Sequence, residues 1–357
     1  MTDRTGIAAL PASGAFLEFR SPGTAPAGGG RWTVLGGTAY CGSLVVLDGE
    51  TGEVRLAEES GREDEGDLLA SSLPALAALV REVEAVATGA ADRAAFGGRR
   101  GAAVADAVRS AAEQRMRALD PELFTRGAPP PHWHTALLIA ALAWGARPGE
   151  PDGLAYDFEP DLVADLARLL DEEDAAVRRY RPEELPAELT HEPTRRLLVE
   201  AGLPLEGEML GVHPDAPLTT MAARYPDDFA ELTHHLELGY WPHDLVIALD
   251  GTTGRLELPG LHGADDPARY LNRDLSALLY ALWTYERVRA HWDRWEYGGQ
   301  DWHDGDGDDD WTVFDPHSFL RTEVDGLVEA VDPESFATPR HSWRLLAEDP
   351  YTGGLLA

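Results

Sequence analysis

Only one cysteine, Cys41, occurs in the 357 residues. No internal disulfide can form, and every metal site built on paired cysteines is excluded, the zinc centre of the nucleobase deaminases included. Basic residues are scarce, with 30 Lys and Arg against 63 Asp and Glu and a formal charge of −33. Such a field repels nucleic acid and anionic membranes and attracts basic proteins. A nucleic-acid partner is therefore not expected, and acidity that merely serves solubility stays open. No run approaches the roughly 18 apolar residues of a membrane span, and MTDRTGIAALPASGAF at the start lacks the charge and apolar pattern of a signal peptide. The expectation is a soluble, cytoplasmic chain with no membrane partner.

Phosphate loops are missing as well. Gly28-Gly29-Gly30 lacks the P-loop lysine, and Gly97-Gly98-Arg99-Arg100-Gly101 has the wrong order. His191-Glu192-Pro193 lacks the second histidine of a zinc-protease helix, which Pro193 would interrupt. His132-Trp133-His134 and His234-His235 have no cysteine or repeated carboxylate at ligand spacing, and adjacent histidines on a helix point apart. Cys41 has no convincing base and reads as a small buried residue rather than a nucleophile. No catalytic residue, metal or cofactor is assigned, and the chain reads as a binding protein and not as an enzyme.

Apolar residues make up 44% and aromatics 8%, enough for buried cores, and the length suits two domains. The chain repeats itself. Leu44 to Val54 sets against Val246 to Leu256, with five of eleven positions identical at an offset of 202, among them Asp48, Gly49 and Gly52 with Asp250, Gly251 and Gly254. At the same offset Leu69 to Val86 aligns with Leu271 to Val288. Then Asp120, Pro121 and Phe124 match Asp332, Pro333 and Phe336, and Trp133 matches Trp343. A weaker upstream block sets Leu35-Gly36 against Leu238-Gly239. Continuous apolar runs ended by Asp-Gly and Thr-Gly predict hairpins, and the stripes from Leu73 and Leu275 predict helices packed on the sheet. Asp120 and Asp332 suit N-caps, with proline at the first helical position and the phenylalanines as core anchors. The fold class is α+β, each module a mixed or antiparallel sheet with packed helices.

The modules span residues 1–148 and 174–357, the first lacking a lead-in helix. Residues 149–173 form a linker with a helical segment at Asp161 to Leu170, entered through Gly145 to Tyr156, which is rich in Gly and Pro. An insertion peculiar to the second copy holds Asp301, Trp302, Asp304, Asp306, Asp308, Asp309, Asp310 and Trp311. It reads either as an acidic, aromatic-edged partner-binding loop or as a solvated charge run. A calcium loop fits poorly, since Asp309 stands where glycine is needed and Asp315 closes the twelve in place of glutamate.

The order of these blocks resembles the SUKH superfamily and within it the fourth immunity subfamily. The resemblance runs from the Pro182-Glu183-Glu184-Leu185-Pro186 lead-in through Gly202-Leu203-Pro204, a Leu-Gly turn before a strand, Leu249 to Gly254 and Asp332 to Phe336, ending at Trp343 and Gly353-Gly354-Leu355-Leu356. The family's Asn-Ser-Ser-Leu signature is split here, as Ala70-Ser71-Ser72-Leu73 in one copy and Asn272-Arg273-Asp274-Leu275 in the other. The resemblance implies an immunity protein that neutralises a toxin, often a nuclease or deaminase with a basic groove, by stoichiometric binding. An intracellular regulatory or scaffold protein holding a host partner is the alternative. The composition assigns no oligomeric state.

Overall fold

Short apolar runs separated by turns pair in sequence order at the start of the chain. Strands β1 (Ser13–Gly14), β2 (Leu17–Thr24), β3 (Trp32–Thr38), β4 (Leu44–Asp48), β5 (Val54–Ala57) and β6 (Asp67–Ala70) form one six-stranded sheet in that order. Helices α1 (Leu73–Thr88), α2 (Gly101–Leu119) and α3 (Pro131–Leu142) follow, with a 3-10 turn at Pro121–Phe124. Next come β7 (Arg147–Pro148), β8 (Tyr156–Asp157), α4 (Pro160–Leu170), β9 (Val177–Arg178), α5 (Glu192–Glu200), β10 (Leu203–Pro204) and α6 (Met221–Arg224). A second sheet, β11 (His235–Trp241), β12 (Leu245–Asp250), β13 (Leu256–Leu258) and β14 (Arg269–Asn272), has four strands in sequence order. It leads into α7 (Leu275–Tyr297), α8 (Pro316–Val331), a 3-10 turn at Pro333–Phe336 and α9 (Ser342–Ala347). Every strand pair among the described residues is antiparallel, so the fold is α+β.

This computed structural model describes residues 10–24, 31–58, 66–89, 93–125, 130–171, 175–205, 207, 209–214, 217–259, 268–297, 313–349 and 354–356. The chain divides into two compact units. One comprises Met1–Arg99, Val104–Trp144 and Trp292–Glu323, the other Arg100–Ala103, Gly145–His291 and Val324–Ala357.

The repeat is reproduced bond for bond at its turns. Gly52 and Gly254 sit at φ 81° and 80°, where a side chain is strained, and their amides donate to the Asp48 and Asp250 carbonyls at 2.9 and 2.8 Å. Each aspartate then folds over its own turn, Oδ1 accepting from the Glu50 and Thr252 amides at 2.8 Å in both copies. The helices that follow start alike. Ser72 Oγ accepts from the Ala75 amide at 3.3 Å, and Asp274 Oδ1 accepts from the Ser276 and Ala277 amides at 2.9 and 3.1 Å. The split family signature thus keeps a capping side chain at its third position in both copies. Leu73, Leu76, Leu79, Val80 and Val83 are all buried beneath α1, as Leu275, Leu278, Leu279, Leu282 and Val288 are beneath α7.

Two expectations change. Leu35-Gly36 and Leu238-Gly239 do not form turns before a strand; they lie inside β3 and β11, at the irregular step in each strand's pairing. A Cβ on Gly36 would stand 1.8 Å from the Glu18 carbonyl oxygen, and one on Gly239 2.1 Å from that of Gly211, so glycine there answers a neighbouring backbone. The Gly- and Pro-rich stretch after Gly145 also holds more order than a linker, because β7 and β8 pair as a hairpin. That hairpin is fixed within its unit by the Ala155 amide on Asp274 Oδ2 at 2.7 Å and the Tyr156 hydroxyl on the Val331 carbonyl at 2.8 Å. Helix α4 belongs to the same unit, with Asp165 accepting from the Trp283 indole at 2.8 Å and from Arg287 Nη2 at 2.7 Å.

Candidate functional site

The motif residues gather where the last strand of each sheet meets its following helix. Asp120 and Asp332 are buried but do not cap their own 3-10 turns. Asp120 Oδ2 instead accepts from the Ser71 amide at 2.8 Å, and Asp332 Oδ2 accepts from the equivalent Arg273 amide at the same distance. Proline takes the first helical position in both, and Phe124 and Phe336 are buried. Trp133 and Trp343 are fully buried, and their indoles donate to the end of the last strand, to the Leu69 carbonyl at 2.8 Å and to Asn272 Oδ1 at 2.9 Å. The second copy adds donors that the first lacks. Tyr270 Oη and Asn272 Nδ2 also reach Asp332, at 3.0 and 3.1 Å. Leu68 and Ala70 hold those positions in the first copy, and Asp120 Oδ1 is left buried without a hydrogen bond.

Above this node the second unit carries a groove of about 400 Å³ lined by Trp241, His243, Leu245, Leu258, Arg269 and Leu345, among others. The β11–β12 turn supplies one wall, with His243 and Asp244 at φ 66° and 59°, conformations that non-glycine residues adopt at a cost. Strands β13 and β14 supply the floor through Leu258 and the rim through Arg269, and α9 closes the side with Leu345. Trp241 meets Trp343 edge to face at 5.0 Å, so the floor is braced by the buried core. Leu345 is 39% exposed, one of two large hydrophobic side chains that exposed among the described residues. Arg269 is exposed, and among the described residues it forms no ion pair. The walls are apolar, and the charged lining is mixed, with Arg269 on one side and Glu348 and Asp349 at the end of α9.

At the matching place in the first unit, the β3–β4 turn, the first residue of β6 and the start of α3 are covered. Tyr40, Asp67 and His132 occupy the positions of His243, Arg269 and Ser342. Phe319 stacks on Tyr40 at 4.1 Å and 5°, and Phe314 meets Tyr40 edge to face at 5.9 Å. The Phe314 amide donates to Asp67 Oδ2 at 2.7 Å, and Tyr40 Oη bonds His132 Nδ1 at 2.8 Å. Burial raises the Tyr40 phenol well above its usual range and pushes the His132 imidazole from 6.5 down to about 3.

That shift fixes a sign. The unfolded histidine takes a proton near 6.5 and the folded one only near 3, so between these values the unfolded state binds more protons. Its contribution is intact above 6.5 and falls as the pH drops through that window, by at most about 1.4 kcal/mol per pH unit. His132→Gln should therefore lose less stability than the parent between pH 7 and pH 4.5, measured by thermal unfolding at both. An equal loss in the two proteins would mean that His132 is not held neutral.

The remaining candidates fall elsewhere. Asp301, Trp302, Asp304, Asp306, Asp308, Asp309, Asp310 and Trp311 lie outside the described residues. Asp315, weighed as the closing ligand of a calcium loop, caps α8: its Oδ1 accepts from the His317 and Ser318 amides at 3.0 and 3.1 Å. Cys41 is half-buried in the β3–β4 turn, its Sγ 3.0 Å from Ser43 Oγ, and is less enclosed than expected. Among the described residues no group of three or more His, Cys, Asp or Glu could hold a metal ion, and no helix is long and apolar enough to cross a membrane. The groove itself escaped sequence reasoning, because its lining comes from separate segments. The one signal was the change from Asp67 to Arg269 at aligned positions.

The sequence model of the SUKH-4 immunity protein matches the chain over residues 5–138 and 163–349. No curated protein and no solved structure matches it. The two matched regions fall on the two copies of the repeat, and together they take in both sheets and both buried aspartate and tryptophan nodes. The chain belongs to the SUKH-4 immunity protein family.

Proposed function

We propose that the chain is a cytoplasmic, non-catalytic immunity protein that neutralises a nuclease- or deaminase-type toxin by stoichiometric occlusion. The observation that carries this reading is the family match over both copies. The formal charge of −33 supports the toxin class, because an acidic surface complements the basic groove of an enzyme that acts on nucleic acid. Long-range attraction of this kind speeds encounter, which suits an inhibitor that must reach its toxin before the toxin reaches its substrate. This reading expects a toxin encoded beside the gene, and titrating the activity of that toxin domain tests it. Inhibition should be complete at an integral molar ratio and reversible on dilution. Complete inactivation by a small fraction of an equivalent would instead mark an enzyme.

The acidic insertion is the proposed source of steering. Changing Asp304, Asp306, Asp308, Asp309 and Asp310 together to asparagine should slow association at low salt and weaken its salt dependence. The thermal midpoint should hold, since the substitutions remove repulsion among like charges close in sequence. Stopped-flow association at two salt concentrations reads this. An unchanged rate at low salt would return the segment to a solvated charge run.

A further inference from the structure

We infer that the aromatic surface formed by α6, the turns after it and β11 in the second unit is a docking site for a basic face of the protein partner, one that presents arginine or lysine side chains. The inference rests on the reading that this partner is a toxin with a basic groove, and it names the surface and the chemistry.

The two copies differ at this edge of the sheet. In the first unit β2 pairs along β3 from Leu17 to Thr24. In the second, the equivalent strand β11 is met by isolated pairings at Gly211 and Thr220, and the chain after Thr220 runs into α6 and the helical turns that follow it. Those turns bring three rings together. Tyr225 meets Phe229 edge to face at 6.0 Å, and the Tyr225 and Tyr240 hydroxyls both donate to Glu237 Oε1, at 2.8 and 3.2 Å. His213 packs edge to face on Tyr240 at 5.2 Å. Tyr225, Phe229 and Tyr240 are all half-buried, so part of each ring faces solvent. Rings fixed in this way lose little freedom when a partner covers them, and tyrosine is among the residues on which interface energy concentrates.

The charges set the sign of the occupant. Arg224 is the one Lys or Arg from the start of α6 to the end of β11. Its Nε lies 3.3 Å from Glu237 Oε2, and the Glu237 side chain is only 9% exposed, so this pair is already matched. Asp227, Asp228 and Glu231 are exposed, and among the described residues none of them forms an ion pair. They interleave with the rings, Asp227 and Asp228 standing between Tyr225 and Phe229 in the chain and Glu231 just after. Acidity is general to a chain of charge −33; aromatic rings held among free carboxylates set this place apart. An arginine or lysine can lay its apolar stem and its charge over a tyrosine face while its head meets a carboxylate. A partner face bearing carboxylates is repelled.

The test uses the full chain and a hexa-arginine peptide labelled for fluorescence anisotropy, at moderate salt. The peptide should bind the parent. The triple change Asp227→Asn, Asp228→Asn and Glu231→Gln, and separately Phe229→Lys, should each weaken it about tenfold or more. Glu58→Gln, Glu122→Gln and Glu334→Gln together remove as many charges from exposed positions on other elements and should leave binding within about twofold. Folding of every variant is confirmed by its thermal midpoint, and if Phe229→Lys does not fold, the carboxylate triple decides. A second arm measures the affinity of the toxin domain for the same variants, with the same order expected. Where the toxin domain binds the parent, its affinities decide the surface. Where it does not, the proposed function fails and the peptide alone decides. In the deciding arm, absence of binding, an equal loss in the control triple, or binding that a folded surface variant leaves intact overturns the inference.

Discussion

Asp332→Ala should destabilise the second unit by roughly 3–5 kcal/mol, whereas Asp120→Ala should cost the first only about 1–2 kcal/mol. The two aspartates occupy matching places, so the difference comes from their partners. Removing the Asp332 carboxylate leaves the Tyr270 hydroxyl, the Asn272 amide group and the Arg273 backbone amide without an acceptor in a buried site. Each such orphan costs about 1–3 kcal/mol, and relaxation or an entering water recovers part of it. Removing the Asp120 carboxylate strands only the Ser71 amide and relieves a buried oxygen that already lacks a partner. Two units need not unfold together, so hydrogen exchange of the β6 and β14 amides is the suitable readout. Equal losses at the two sites would show that the extra donors at Asp332 contribute nothing.

Trp343→Ala and Trp133→Ala should each cost about 3–5 kcal/mol, because each empties a fully enclosed site in a packed core. Their coupling to the aspartates should differ. Trp343 donates to Asn272, which itself donates to Asp332, so the three side chains form one chain of hydrogen bonds. Trp133 donates to a backbone carbonyl instead. A double-mutant cycle of Trp343→Phe with Asp332→Asn should show coupling of about 0.5–3 kcal/mol, and the matching cycle with Trp133 and Asp120 about 0.5 kcal/mol or less. Strong coupling in the first unit, or additivity in the second, would contradict this assignment.

Local signals in the sequence were legible where local physics decides. The turns at Asp48 to Gly52 and Asp250 to Gly254 need a residue at positive φ and a short acceptor side chain, and both requirements are written within five residues. The helices from Leu73 and Leu275 were visible in their apolar spacing. What failed depended on distant partners. Asp-Pro looks like a cap, yet Asp120 and Asp332 serve amides 49 and 59 residues away. Gly36 looks like a turn residue, yet it is fixed by a carbonyl on the neighbouring strand. The groove was invisible for the same reason, since its apolar residues read singly as core or surface and only the fold brings them together. The repeat carried more information than any motif, because comparing copies exposes the positions where they differ.

Growth of cells that express the neighbouring toxin domain expected of an immunity protein, with and without this chain, tests the central claim most directly. Survival should require the chain, the two proteins should elute together at an integral molar ratio, and survival should be lost in variants that no longer bind. Cells that die despite abundant folded chain, or that survive with no complex formed, would contradict an immunity protein acting by occlusion.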